Sequence, residues 1–308
     1  MKPLFAFLSP LRATAVVLTL GLAGCSTSQT LDSVSPLTVS SYAPVNGKQA
    51  AIVIDGDTGK TLFESDSTEP RYPASLTKMM TAYMLFEAMQ ANRISPSTRI
   101  PVSAYAASQP PTKIGFRPGD TITVEDAILA LVTKSANDVA VAVGEFMGGS
   151  EEKFAEQMTA RARQIGMRNT RFRNASGLPN PEQQTTARDM ALLGITLRKR
   201  FPQYFHYFST QSFMLGGTKP VRGHNRLLAR VSGADGIKTG YTRASGFNIV
   251  TSVNRDGKKL ICVVMGGASA KARDDYAASL IDTYLPPVAP TSPRDTDPVY
   301  APDPTEDS

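Results

Sequence analysis

Two pairs of strand-like segments stand near the two ends of the central part of this chain, and they constrain its fold more than any other feature. Near the start, the apolar run 51–54 is separated from residues 60–64 by an Asp-Gly-Asp-Thr-Gly turn. Near the end, residues 246–253 and 258–266 flank Asn-Arg-Asp-Gly. Apolar residues recur at helical spacing in the segments 75–90, 124–133, 138–147, 151–165, 186–198 and 271–285. The pattern predicts an α/β (α+β) fold in which both ends of the domain complete one antiparallel sheet and helices cover its faces.

The N-terminal segment has the layout of a signal peptide. Lys2 and Arg12 precede an apolar run, residues 13–23, which is shorter than the roughly 20 residues that a membrane-spanning helix needs. The small residues directly before Cys25 resemble the lipobox of bacterial lipoproteins. This resemblance implies that residues 1–24 are removed and that Cys25 carries a lipid. The alternative is an ordinary cleaved signal in which Cys25 has no role.

Composition divides the remainder of the chain into a tether, a domain and a tail. Residues 25–49 are rich in Ser and Thr with scattered Pro, which predicts a flexible tether. Residues 286–308 are rich in Pro and acidic residues, which predicts an unfolded tail. One domain is therefore expected over residues 50–285. The net charge of +6 is spread along the chain without a basic run, so no nucleic-acid partner is expected.

Cysteine and histidine are too scarce for a Cys-rich zinc site or a disulfide framework. The chain has two of each, at Cys25, Cys262, His206 and His224. Cys262 lies in an apolar strand-like run, which predicts an inert buried thiol. The histidines do not form an H-x-x-x-H arrangement, and both are assigned structural roles. We therefore expect neither a metal ion nor a cofactor.

A serine and a lysine lie one helical turn apart at the start of the first predicted helix. Ser75 and Lys78 are three residues apart, so their side chains share one face. A serine hydroxyl needs a base at neutral pH, and a lysine can serve if burial or a neighbouring cation keeps it neutral. The same spacing occurs at Ser150 and Lys153, but there the serine precedes a helix with two acidic residues in its first turn. That second copy predicts a helix N-cap.

Two further short elements can place polar groups at a cleft. Ser135-Ala136-Asn137 lies between two predicted helices, where a break would present a hydroxyl and an amide together. The same S-x-N spacing recurs at Ser252 and Asn254, at a strand end. Lys238-Thr239-Gly240 is the chain's one K-T-G sequence, and on a strand it suits a carboxylate ligand lying alongside.

Taken in order within one domain, the elements S-x-x-K, S-x-N and K-T-G resemble those of the penicillin-binding proteins and serine β-lactamases. The flanking sequences look like those of the low-molecular-mass D-alanyl-D-alanine carboxypeptidases, in the stretches 55–59, 73–81, 186–192, 224–228 and 233–248. The resemblance implies a β-lactamase/transpeptidase-like fold, with an antiparallel sheet of about five strands, flanking helices and a helical subregion.

The resemblance also implies a role for each element. Ser75 would attack the carbonyl between two terminal D-alanines of a peptidoglycan stem peptide, with Lys78 as general base and Ser135 passing the proton to the departing D-alanine. The backbone N–H groups of Ser75 and Tyr241 would form the oxyanion hole. Substrate binding would fall to Asn137, Lys238, Thr239, Gly240, Tyr241 and Arg273. β-Lactam antibiotics would be covalent inhibitors, and the protein would be exported, on the periplasmic or extracytoplasmic face of a bacterial envelope.

One departure from the β-lactamases and two alternative functions remain at this stage. Glu182 lies where class A β-lactamases carry a deacylating glutamate, but its E-Q-Q-T context does not match E-x-x-L-N, so we expect a long-lived β-lactam acyl-enzyme. A D,D-endopeptidase that cuts peptidoglycan cross-links would carry the same motifs. A non-turnover β-lactam sensor is the second alternative.

Overall fold

A five-stranded antiparallel sheet runs through the computed structural model, which describes residues 49–286. The strands of this described part are Ala50–Asp55 (β1), Thr61–Ser65 (β2), Arg99–Pro101 (β3), Thr121–Thr123 (β4), Ser212–Leu215 (β5), Lys219–Arg222 (β6), Ala234–Thr242 (β7), Gly246–Arg255 (β8) and Lys258–Gly267 (β9). The large sheet has the order β2-β1-β9-β8-β7. The first and last strands of the domain therefore pair, β1 with β9, and β7 lies at one edge.

Eight α-helices occupy the described part of the chain, at Thr77–Gln90 (α1), Ala104–Ser108 (α2), Val124–Leu129 (α3), Asn137–Gly148 (α4), Glu151–Gln164 (α5), Ala187–Arg200 (α6), Leu227–Arg230 (α7) and Ala270–Tyr284 (α8). Ser150, Thr186 and Ser269 begin α5, α6 and α8, because each side-chain oxygen accepts a hydrogen bond from the backbone N–H three residues later. The N-cap prediction for Ser150 is thus confirmed. No helix among residues 49–286 is both long and apolar enough to cross a membrane.

Side chains alternate between the two faces of the sheet, and each face packs in a separate apolar cluster. Ile52 and Val263 belong to the larger cluster, which includes α1, α4, α5 and α6. Val53 and Cys262 point to the opposite face, where α8 covers them. Helices therefore cover both faces, and Gly240 of β7 lies beside the turn at Ser75 that leads into α1.

The structure confirms the predicted antiparallel sheet and the helices on its faces. The short helices α2 and α7 were not predicted, nor were the small two-stranded sheets β3–β4 and β5–β6. Their strands have only three or four residues, too few for hydrophobic periodicity to register. The predicted signal peptide, the tether with Cys25, and the tail beyond residue 286 lie outside the described residues, so their boundaries stay predictions.

Candidate active site

Ser75 lies in a tight turn that leads into α1. The turn is a short 3-10 helix, Ala74–Leu76, and Ala74 adopts a left-handed backbone conformation with φ of 48°. A non-glycine residue in this region is uncommon and costs conformational energy, so the surroundings must hold it. Asn248 of β8 does so from below, since its side-chain amide donates to the carbonyl oxygens of Tyr72 (3.0 Å) and Pro73 (3.2 Å).

Two glycines, Gly240 and Gly177, lie in close contact with this turn. A Cβ added to Gly240, the glycine of K-T-G, would lie 3.0 Å from the Ser75 nitrogen. A Cβ added to Gly177 would lie 1.8 Å from the carbonyl oxygen of Ala74, and Gly177 has φ of +85°. The K-T-G strand and the loop at residue 177 can approach Ser75 this closely only because neither glycine has a side chain.

The amino group of Lys78 makes three polar contacts. Its Nζ lies 3.1 Å from Ser75 Oγ, 2.8 Å from Asn137 Oδ1 and 2.5 Å from the carbonyl oxygen of Ser176. The last two partners can only accept hydrogen bonds, and a neutral amine has two N–H groups to donate and one lone pair. With both N–H groups donated to Asn137 and Ser176, the lone pair is left for the Ser75 hydroxyl proton. The contact set therefore fits a neutral Lys78 acting as base toward Ser75.

The surroundings of Lys78 favour its neutral form. Lys78 is 1% exposed, and burial together with the nearby positive charge of Lys238 holds its pKa well below the usual value. Asp138 and Glu151 act in the opposite direction, since their negative charges raise the pKa of Lys78. Burial is the largest of these effects.

Ser135 and Asn137 face the same cleft from a break between α3 and α4. A π-helical turn, Ala130–Lys134, ends at Ser135, which has φ of 61°. The Ser135 hydroxyl is buried and has no hydrogen-bond partner within the described residues. The Asn137 side chain accepts from Lys78 and donates to the carbonyl oxygen of Pro110 at 2.9 Å. The break thus holds Asn137 rigidly and leaves the Ser135 hydroxyl available to a ligand.

Two cations lie on the carboxylate-binding side predicted for the site. Lys238 is buried, its Nζ donates to the carbonyl oxygen of Thr239 at 2.8 Å, and burial with the neighbouring Arg273 lowers its pKa to about 7. Arg273 is also buried, at 4% exposure. Its guanidinium pairs with Asp274 at 2.7 Å and donates to the carbonyl oxygen of Asn248 at 3.1 Å. Arg273 is therefore held by the protein before any ligand binds.

The predicted site residues surround one cleft of about 370 Å³. All of them line it except Lys78 and Lys238, which are buried behind its wall; the lining members are Ser75, Ser135, Asn137, Thr239, Gly240, Tyr241 and Arg273. Because β7 is an edge strand of its sheet, its outer side is open to an extended ligand.

Several cleft residues were not predicted to be part of the site. Pro111, Thr112, Leu178 and Phe247 line the cleft, and so does His224, which was assigned a structural role. His224 begins the stretch 224–228, which carries the family resemblance and could therefore have indicated that this histidine lies at the site. His206 lies outside this cleft, with Nδ1 3.0 Å from the carbonyl oxygen of Gln203.

The repeated motifs lie outside the cleft. The Ser252 hydroxyl accepts from Arg198 at 2.8 Å, and Asn254 is exposed at the end of β8. Glu182 is ion-paired with Arg173 and does not line the cleft.

Cys262 is fully buried, as predicted, and burial raises the pKa of its thiol to about 12.

Comparison with known proteins agrees with this fold and site. The family model of the S11 peptidases, described as D-alanyl-D-alanine carboxypeptidase, matches residues 38–269. The D-alanyl-D-alanine carboxypeptidase DacF of Bacillus subtilis is 32% identical over 79% of this chain, and the match spans 66% of that relative's length.

Solved structures of the same kind superpose on this chain. The D-alanyl-D-alanine carboxypeptidase DacD of Francisella tularensis is 30% identical, with a TM-score of 0.74 over 80% of this chain and 72% of that one. Penicillin-binding protein D2 of Listeria monocytogenes, solved in an ampicillin-bound form, is 29% identical, with a TM-score of 0.66 over 76% of this chain and 95% of that one.

The sheet, the helices on its faces and the three motifs around one cleft define a low-molecular-mass penicillin-binding protein. Within that class, the chain belongs to the D-alanyl-D-alanine carboxypeptidase family, peptidase family S11. The family resemblance that the motifs indicated is confirmed.

Proposed function

We propose that this protein is a serine-type D-alanyl-D-alanine carboxypeptidase that removes the terminal D-alanine from peptidoglycan stem pentapeptides. The observation that carries the proposal is the 3.1 Å contact between Ser75 Oγ and a buried Lys78 Nζ whose pKa is well below its usual value. A hydroxyl beside a buried amine whose pKa is lowered in this way, in a cleft beside an edge strand, suits attack on a peptide carbonyl.

The reaction proceeds in two steps. Ser75 Oγ bonds to the carbonyl carbon between the two D-alanines while Lys78 takes the hydroxyl proton. The C–N bond then breaks, and the departing D-alanine nitrogen receives that proton by way of the Ser135 hydroxyl. Water afterwards adds to the acyl carbon, and Ser75 leaves with its proton restored. Glu182 is ion-paired with Arg173 and does not line the cleft, so it is not placed to deacylate the enzyme. A β-lactam bound to Ser75 should therefore form a long-lived acyl-enzyme.

Substrate binding falls to the residues around this centre. Thr239 and Arg273 in the cleft wall, with Lys238 buried behind it, suit the terminal carboxylate, because both cations are held in place by neighbouring groups. Asn137 contacts the substrate amide and Lys78 together. The backbone N–H groups of Ser75 and Tyr241 form the oxyanion hole, where a lost donor typically costs about 3 kcal/mol of barrier.

The experiment uses the fragment that begins at Ser26, with Ser75→Ala as control, on a mixture of pentapeptide and cross-linked muropeptides. Mass spectrometry of the products should show Ser75-dependent loss of one D-alanine from the pentapeptides. Conversion of cross-linked dimers to monomers would instead make the protein an endopeptidase. If neither substrate changes in a Ser75-dependent way, the β-lactam sensor becomes the favoured function.

We also propose that the protein acts on the periplasmic or extracytoplasmic face of the bacterial cell envelope, anchored by a lipid on Cys25. The apolar run 13–23 and the small residues before Cys25 support this part of the proposal. A single acyl chain binds membranes weakly, so stable anchoring needs the several chains of a lipoprotein or a second contact. Cys25→Ser should move the protein from the membrane to the soluble fraction, and retention on the membrane would refute the anchor.

A further inference from the structure

The carbonyl group that accepts from Lys78 belongs to a loop that is itself held by three helices. Ala175, the residue before Ser176, accepts a hydrogen bond through its carbonyl oxygen from the Thr81 hydroxyl of α1 at 2.7 Å. Its N–H donates to Glu151 Oε1 of α5 at 3.0 Å. Its side chain packs against α4, where a Cβ added to Gly144 would lie 3.3 Å from the Ala175 Cβ.

This loop carries two of the groups that shape the site. Ser176 supplies the carbonyl oxygen 2.5 Å from Lys78 Nζ, and Gly177 rests on the turn before Ser75. A shift of Ala175 would move both groups together, because they follow it directly in the chain. The position of the base and that of the nucleophile therefore depend on what fixes Ala175.

Glu151 is a buried carboxylate at the start of α5, with 6% exposure. Besides the Ala175 N–H it accepts from the Tyr105 hydroxyl at 3.2 Å, so both of its oxygens face donors, which suits the ionised form. Burial raises its pKa, as do the charges of Glu145 and Glu152. Around Lys78, the groups that face it are Lys238 from β7, Asp138 from α4 and Glu151 from α5.

We infer that Glu151 is a positioning residue for the Ser75–Lys78 pair: it holds the Ala175 amide, so that Ser176 and Gly177 meet Lys78 and the Ser75 turn, and its charge offsets that of Lys238 at Lys78. Glu151 does not contact Ser75 or Lys78. It acts on them through the position of this loop and through the electrostatic effect of its charge on Lys78. The inference rests on the proposed function, because it assigns Lys78 as the base.

Two substitutions separate the two parts of this role. Glu151→Gln keeps both hydrogen bonds, since the amide oxygen accepts from Ala175 and the amide nitrogen donates to the Tyr105 oxygen, but it removes the charge. Glu151→Ala removes the charge and both hydrogen bonds. Glu152 is the matched control, because it is an exposed acidic residue in the same helical turn that makes no hydrogen bond or ion pair in the described part of the chain.

The measurement is the rate of covalent acylation by benzylpenicillin as a function of pH, with thermal unfolding of each variant as the check on folding. Glu151→Ala should be acylated about tenfold more slowly at neutral pH, because the loop loses a buried hydrogen bond to a charged group. Glu151→Gln should keep the neutral-pH rate. Its acid limb should move about half a unit to lower pH, because loss of a nearby negative charge lowers the pKa of Lys78. Glu152→Ala and Glu152→Gln should match the unaltered protein.

The inference is overturned if Glu151→Ala, folded, is acylated at the unaltered rate, or if the acid limb of Glu151→Gln does not move. If Glu151→Ala does not fold, the acid limb of Glu151→Gln decides alone. Acylation is measured without a peptide substrate, so its outcome is separate from the muropeptide test. Wild-type protein that is not acylated at all would refute the assignment of Ser75 and Lys78 themselves.

Discussion

Gly177 lies directly against the carbonyl group of Ala74, so that a Cβ on Gly177 would lie 1.8 Å from the Ala74 oxygen. Ala74 immediately precedes Ser75 and already has a left-handed backbone conformation. The loop carrying Gly177 thus supports the nucleophile turn from outside, and the contact leaves no room for any side chain.

Replacing Gly177 with alanine should therefore lower the free energy of unfolding by about 3 kcal/mol, since positive-φ strain adds to the clash with Ala74. The shifted turn should also slow acylation of Ser75. Gly149→Ala is the matched control, because Gly149 has φ of +79° and open space around it, and it should lose only about 1 kcal/mol. Urea unfolding measures both, and equal losses would contradict the close contact.

Lys238→Gln should move the acid limb of the acylation rate to higher pH. The pKa of Lys238 is lowered to about 7, so below that pH it is charged and depresses the pKa of Lys78. Removing this charge raises the pKa of Lys78, and the base is then protonated, and lost, at a higher pH as the pH falls. Lys199→Gln is the control, since Lys199 donates to the carbonyl oxygen of Asp57 away from the cleft. An acid limb that stays in place would contradict the coupling.

Ser135→Ala should separate stability from activity. The Ser135 hydroxyl is buried without a partner, so its removal should leave the free energy of unfolding unchanged or raise it by about 1 kcal/mol. Release of D-alanine should nevertheless fall about a hundredfold if this hydroxyl passes the proton. The exposed Ser108→Ala should change neither quantity. Wild-type turnover in Ser135→Ala would remove this residue from the mechanism.

Cys262 should not react with thiol reagents while the protein is folded. Its side chain is fully buried under α8, and its pKa of about 12 keeps the thiol protonated at neutral pH. In the fragment that begins at Ser26, modification measured by mass spectrometry should be slow in buffer and fast in denaturant. Rapid modification without denaturant would mean that α8 opens readily from the sheet.

The sheet and its helices could be predicted because their signals are local. β1, β2, β8 and β9 show apolar runs bounded by turn residues, and α5 shows helical spacing after an N-cap serine. The pairing of Ser75 with Lys78 was equally local, since three residues along a helix place two side chains on one face. The β3–β4 and β5–β6 pairs were missed because such short strands carry no periodicity.

Other parts of the site had no local signal. The carbonyl oxygen of Ser176 belongs to the backbone, so its contact with Lys78 cannot be predicted from the type of residue at that position. Thr112 and Phe247 line the cleft although neither stands in one of the three motifs, because only the folding of the chain brings them there. Asn248 supports the nucleophile turn from a neighbouring strand, and only strand pairing brings it there.

By itself, the amino-acid sequence determined which residues form strands and helices and which short motifs bear a hydroxyl, an amine or a cation, because these depend on spacing along the chain. Only the tertiary structure decided which of them act together. Lys78 meets Asn137 across 59 residues and Ser176 across 98. The low pKa of Lys78 arises from burial and from the charge of Lys238 on β7, against the opposing charges on α4 and α5, and these neighbours surround Lys78 only in the folded chain.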